Sequence, residues 1–112
     1  MDKDILIWLE DIRIAIANID SFLPKKRIFE EFRKDLKTKM AVERSIEIIG
    51  EAASRILKKD ADISISNVRK IVDTRNRISH GYDSVSDDII WRIVINDLPA
   101  LKAEVKKLLS LP

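Results

Sequence analysis

The chain has 112 residues, enough for one domain around one core, and its lack of cysteine excludes a disulfide framework, thiolate metal sites and a cysteine nucleophile. Charged residues make up 36% and nearly cancel at a net +2, so this is not a nucleic-acid packaging protein, and any contact with RNA is expected to be local. No apolar run reaches the roughly 18 residues that a membrane span needs, and the acidic start Met1-Asp2-Lys3-Asp4 does not read as a signal peptide, so a cytoplasmic location is expected.

Two glycines, three prolines and apolar residues spaced by three and four predict an all-α protein, a single helical domain over residues 1–112. The first helix is expected from about Asp2 to Phe22, with Ile5, Trp8, Leu9, Ile12, Ile16 and Ile19 on one stripe. Ile7 and Ile14 fall off that stripe, so this helix is apolar on more than one side, which favours a second partner surface. Pro24 closes it, Lys25-Lys26-Arg27 follow in a connection, and a short segment around Ile28 to Arg33 leads into a long helix from about Leu36 to Lys59. Val42, Ile46, Ile49, Ala53 and Ile56 form its buried face. Gly50 in mid-helix costs stability relative to alanine, and close approach of another helix is the usual reason. Ser66 can cap a fourth helix carrying Val68, Ile71 and Val72, ended by the turn His80-Gly81-Tyr82-Asp83-Ser84. Ser86 caps the last helix, Asp87 and Asp88 occupy its first turn, Val85 can staple onto Ile90, and Pro99 is expected to kink it.

The informative segment is Arg75-Asn76-Arg77-Ile78-Ser79-His80-Gly81-Tyr82. Arg75 follows Val68, Ile71 and Val72 at offsets of seven, four and three, which places a guanidinium on the apolar face. A charge there requires an anion, a partner chain or a ligand. His80 is the single histidine. On an unbroken helix a five-residue offset sets it about 140° from Arg75; a helix that ends near Ser79 would bring the imidazole back toward the guanidinium. A histidine at a helix C-terminus is also an ordinary partner of the helix dipole, so spacing alone leaves both roles open.

The stretch from Arg75 to Tyr82 resembles the Arg-x-x-x-x-His-x-Tyr signature of the HepT family within the HEPN superfamily. Ile48-Ile49-Gly50-Glu51-Ala52 is similar to that family's central helix motif, and Trp91, Asp97-Leu98-Pro99 and Leu101 to its last helix. The resemblance implies a HEPN-like up-and-down bundle of four or five helices that forms a two-fold homodimer. It further implies that the chain is the RNase toxin of a pair whose antitoxin is a minimal nucleotidyltransferase. By the same resemblance Arg75 and His80 are catalytic in cleavage that needs no metal or other cofactor, and Asn76 supports them. Tyr82 would be the residue to which the partner attaches AMP, using its own ATP and Mg²⁺. The chemistry of the side chains is compatible with these roles. Cleavage of RNA by its own 2′-hydroxyl needs a base, an acid and a cation for the phosphorane. Histidine can serve either proton role and arginine clamps phosphate oxygens. One chain has one histidine, whereas a two-fold dimer has two and sets both motifs face to face. The alternative is a non-catalytic helical subunit that binds a nucleotidyltransferase or its substrate, with Arg75 and His80 serving the interface.

Other features carry less. Glu43, Glu47 and Glu51 recur every four residues and are expected to be a solvated face, Glu51 partly buried, because no second histidine completes a di-metal site. Lys25, Lys26 and Arg27, with Lys102, Lys106 and Lys107, are candidate guides for RNA but are more commonly plain surface. Trp8 and Trp91 sit in apolar stripes and are assigned to the core. Ser79 lacks the strand-turn-helix elbow of a serine hydrolase.

Overall fold

The structure is a computed structural model and describes residues 1–65, 68–80 and 86–110, the side chains at positions 79 and 80 excepted. Its helices are α1 (Lys3–Phe22), α2 (Phe29–Lys34), α3 (Leu36–Lys59), α4 (Val68–His80), α5 (Asp87–Arg92) and α6 (Leu98–Leu108), with a π-helical turn, Ile93–Asp97, between the last two. Counting α5, the π turn and α6 as one kinked rod, the described residues form five helices and no strand. The expected Ser66 cap and Val85 staple lie outside the described residues.

Local chemistry sets the starts. The Asp2 carboxylate accepts from the backbone N–H groups of Asp4 and Ile5, which would otherwise lack partners at the head of α1. Asp35 does the same for α3 through the Thr38 N–H and hydroxyl, and Ser86 caps α5 by accepting from the Ile89 N–H. The chain leaves α1 in extended conformation at Leu23, directly before Pro24.

Antiparallel packing of α1 on α3 builds the centre. Ile5, Leu9, Ile12, Ala15, Ile16 and Ile19 of α1 meet Val42, Ile46, Ile49, Ala53 and Ile56 of α3. The Lys59 ammonium at the end of α3 reaches Asp4 at 2.7 Å and Asp2 at 3.4 Å at the start of α1, which fixes the direction. Burying each large aliphatic side chain here contributes about 1.5–3 kcal/mol. The outer stripe of α1 behaves as its sequence predicts: Ile7 is 58% and Ile14 45% exposed. Trp91 packs against Phe32 and Phe29, with ring centroids 5.0 and 6.0 Å away, and so anchors the last rod on α2. Trp8 is half-buried beneath the Lys59 ammonium, 5.7 Å from the ring.

The last rod is not simply kinked at Pro99. Over Ile93–Asp97 it widens into π geometry, and the Leu98 N–H bonds to the Ile93 carbonyl five residues back. Proline has no N–H and its ring clashes with the carbonyl four residues earlier in an α-helix. A single wide turn is a common way to absorb such a break. Asp97 closes this turn and is buried, with Lys70 of α4 3.3 Å from its Oδ2.

Candidate active site

Helix α4 lies along α3, and one glycine sets how closely. A Cβ built on Gly50 would overlap the Arg75 Cβ outright and come within 3.1 Å of both the Arg75 Cγ and the Ile71 carbonyl oxygen. The mid-helix glycine therefore has a tertiary reason: it makes room for the stem of Arg75. Val68, Ile71 and Thr74 are buried on the same side of α4, and the Thr74 hydroxyl donates to the Lys70 carbonyl, which satisfies that polar group. Val72, expected among the buried residues, is only half-buried, because it lies at the rim of the α3–α4 groove with Ser54, Leu57, Lys58, Arg69 and Asp73.

Arg75 and Asn76 are both half-buried. The Arg75 Nε is fully shielded from solvent and has no hydrogen-bond partner among the described residues. Leaving such a donor unpaired costs about 1–3 kcal/mol. The packing against Gly50 thus holds a guanidinium in place without supplying the anion that a buried arginine calls for.

His80 is the last residue of α4, so the helix does not end at Ser79. Its register places position 80 about 140° round the axis from Arg75. The expected return of the imidazole toward the guanidinium depends on the His80 side chain and on the turn after it, which lie outside the described residues. The side chains of Ser79 and His80, and all of Tyr82, lie outside the described residues.

Two carboxylates enter the picture that sequence reasoning had left in solvent. Ser54, Leu57 and Lys58 face Arg69, Val72 and Asp73, while Gly50 faces Arg75, so α3 and α4 run antiparallel. Continuing that register brings the C-terminal turn of α4 level with Glu47, and Glu43 lies one turn further along α3. Neither is a freely solvated residue. The Glu47 side chain is only 20% exposed and accepts from Arg44 at 2.7 Å. Glu43 is half-buried; burial pushes its carboxyl up, and the nearby negative charge of Asp87 adds to this while Lys39 opposes it. Lys39 itself pairs with Asp87 at 3.1 Å, which ties α3 to the start of α5. The offset of seven between Glu43 and Gly50 was the available signal, since it puts both on one helical face. Glu51 pairs with Arg55 on a more open side of α3. Among the described residues no group of three His, Cys, Asp or Glu side chains is placed to hold a metal ion.

The two basic clusters meet in space. Arg27 and Lys102 both bind Asp20, at 3.0 and 3.1 Å, joining the Lys25–Arg27 connection to α6. Each pair is partly solvent-exposed and contributes little to stability.

Comparison with known proteins gives this arrangement its context. The profile described as Ribonuclease HepT-like matches residues 12–108. The chain belongs to the HepT-like ribonuclease family. A Thermococcus cleftensis protein named a probable ribonuclease HepT is 36% identical over 102 residues, covering 90% of this chain and 92% of that protein. A Methanocaldococcus jannaschii protein with a provisional RNase name is 32% identical over 112 residues, covering 96% of this chain and 89% of its own length. A third, from Caldanaerobacter subterraneus and named in the same way, is 36% identical over 84 residues, with 73% and 74% covered. No solved structure matches the chain. Within this family setting the helical bundle and the membership agree, and no helix of the described residues is long and apolar enough to cross a membrane.

Proposed function

We propose that this protein is an RNase toxin that cleaves RNA as a homodimer without a metal ion, and that a minimal nucleotidyltransferase antitoxin silences it. The observation that carries the reading is the half-buried Arg75, its stem seated against Gly50 of α3 and its charge without an ion pair among the described residues, in a chain of the HepT-like ribonuclease family.

The chemistry assigns each residue a task. Arg75 binds the scissile phosphate and stabilises charge on the phosphorane. His80 moves the proton, as base toward the 2′-hydroxyl or as acid toward the leaving 5′-oxygen. Asn76, half-buried beside Arg75, supports the site. One chain has one histidine, and a second copy related by a two-fold axis gives each cleavage centre access to two. The uncovered Ile7 and Ile14 supply apolar surface for a partner. AMP attached to Tyr82 by the partner, from ATP and Mg²⁺, would place a negative phosphodiester next to the arginine and fill the RNA cleft.

The test is RNA cleavage by purified, unmodified protein in EDTA, with His80→Ala alongside. Cleavage that persists in EDTA and disappears in the variant is expected. No cleavage of a broad RNA pool by a verified, unmodified dimer would instead favour a non-catalytic binding subunit. For the silencing step, Tyr82→Phe is expected to stay toxic in cells that also make the partner; full neutralisation of that variant would mean that binding, not modification, silences the toxin.

A further inference from the structure

We infer that Arg75 grips its anion end-on, through the two terminal Nη nitrogens alone, and that Gly50 is the positioning residue that enforces this. The inference rests on the reading of Arg75 as a phosphate-binding residue. Arginine can meet a phosphate in two bidentate ways, side-on through Nε and one Nη or end-on through both Nη groups. The choice depends on which edge of the guanidinium is free. Here the Cβ and Cγ of Arg75 lie where a side chain at position 50 would be, and the Nε behind them is sealed from solvent with no described partner. An anion cannot reach Nε without prising α4 from α3. The terminal edge is the one left for substrate.

The sequence around this contact favours a fixed seat. Thr74 and Ile71 are buried on α4, and Ile49, Ala52 and Ala53 are buried on α3 around the glycine, so the helices have little freedom to slide. A methyl group at position 50 would meet the arginine stem and backbone rather than the far end of a flexible chain. The helices must then separate, which frees Nε and shifts the fork. A misplacement near 1 Å is enough to lower kcat by about a hundredfold. Binding of the ground-state substrate changes less, since the clamp acts chiefly on transition-state charge.

The experiment uses the full chain with arginine side chains followed by ¹⁵N NMR, titrated with a non-cleavable 2′-deoxy oligonucleotide and, separately, inorganic phosphate. In the unmodified protein the Arg75 Nε–H is expected to exchange slowly with water and to keep its shift, while the Nη signals move. A ligand-induced shift of Nε comparable to that of Nη overturns the end-on grip. Gly50→Ala is expected to speed Nε–H exchange and cut kcat with KM little changed. Ile71→Val, which loosens the same helix pair without touching the arginine stem, controls for stability; an equal loss of kcat in both variants overturns the positioning role. Should neither ligand move any Arg75 signal, the phosphate-binding reading fails as well, whereas moving Nη signals in a protein that cuts no RNA would leave the grip intact and sink only the nuclease.

Discussion

A glutamate whose ionisation is disfavoured in the folded chain leaves a mark on stability that can be read against pH. Glu43 is such a group: burial raises its pKa first, and the charge of Asp87 second. The folded state holds this proton more tightly than the unfolded state. Its contribution to stability is therefore full below the ordinary glutamate range and is lost as pH rises through the raised folded value. Glu43→Gln removes that loss. Melting temperatures of variant and parent, taken from acid to neutral pH, are expected to diverge in favour of the variant as pH rises; parallel curves would refute a raised pKa. The opposite sign holds for Asp2 and Asp35, whose pKa values are lowered by the capping groups they accept from, so their support fades as pH falls. Spacing along α3 alone hides this property of Glu43. A ladder of carboxylates every four residues looks solvated until another element, here the start of α5, is laid over part of it.

Helix α4 is held from two sides. One is the Gly50 contact, and the other is the buried Asp97 at the end of the π turn, paired with Lys70. The pair is lopsided: Asp97 is 6% exposed, the Lys70 side chain 46%, and the facing oxygen Oδ2 lacks a well-formed hydrogen bond. Removing the lysine leaves a charge stranded in the interior. Lys70→Met is expected to cost about 1–3 kcal/mol in chemical denaturation. Adding Asp97→Asn is expected to recover part of this, because an amide no longer needs a counter-ion; a double variant as unstable as the single one would mean that packing, not charge, is at work. The helix boundaries were legible because caps and prolines are local: Asp2, Asp35, Ser86 and Pro24 stand where elements begin or end. The π turn was not, since Pro99 announces a disturbance without fixing how the backbone absorbs it.

For the molecule as a whole, the exposed stripe on α1 matters most. Ile7 and Ile14 are two helical turns apart on the side away from the core, with the Glu10–Arg13 pair between them. Aliphatic side chains grouped on one outward face are available to a partner. If they line the interface of the proposed homodimer, the double change Ile7→Glu with Ile14→Glu forfeits about 1.5–3 kcal/mol for each buried isoleucine. Light scattering is expected to show a monomer with unchanged helix content, and RNA cleavage is expected to fall with it. A dimer that survives both substitutions would locate the interface elsewhere.

The order of residues alone sufficed for the helical class, the approximate helix positions and the core stripes of α1 and α3. These are readable because helical periodicity, capping and turn chemistry act over a few residues. It also flagged Arg75 as misplaced on an apolar face and Gly50 as costly in mid-helix, but as two separate oddities. The packing of α4 on α3 shows that they explain each other, the glycine of α3 making room for the arginine of α4 twenty-five residues later. Packing likewise buries Asp97 against Lys70 and half-covers Glu43 and Glu47. Such contacts depend on which faces of distant helices meet and at what distance, and no local pattern encodes that distance.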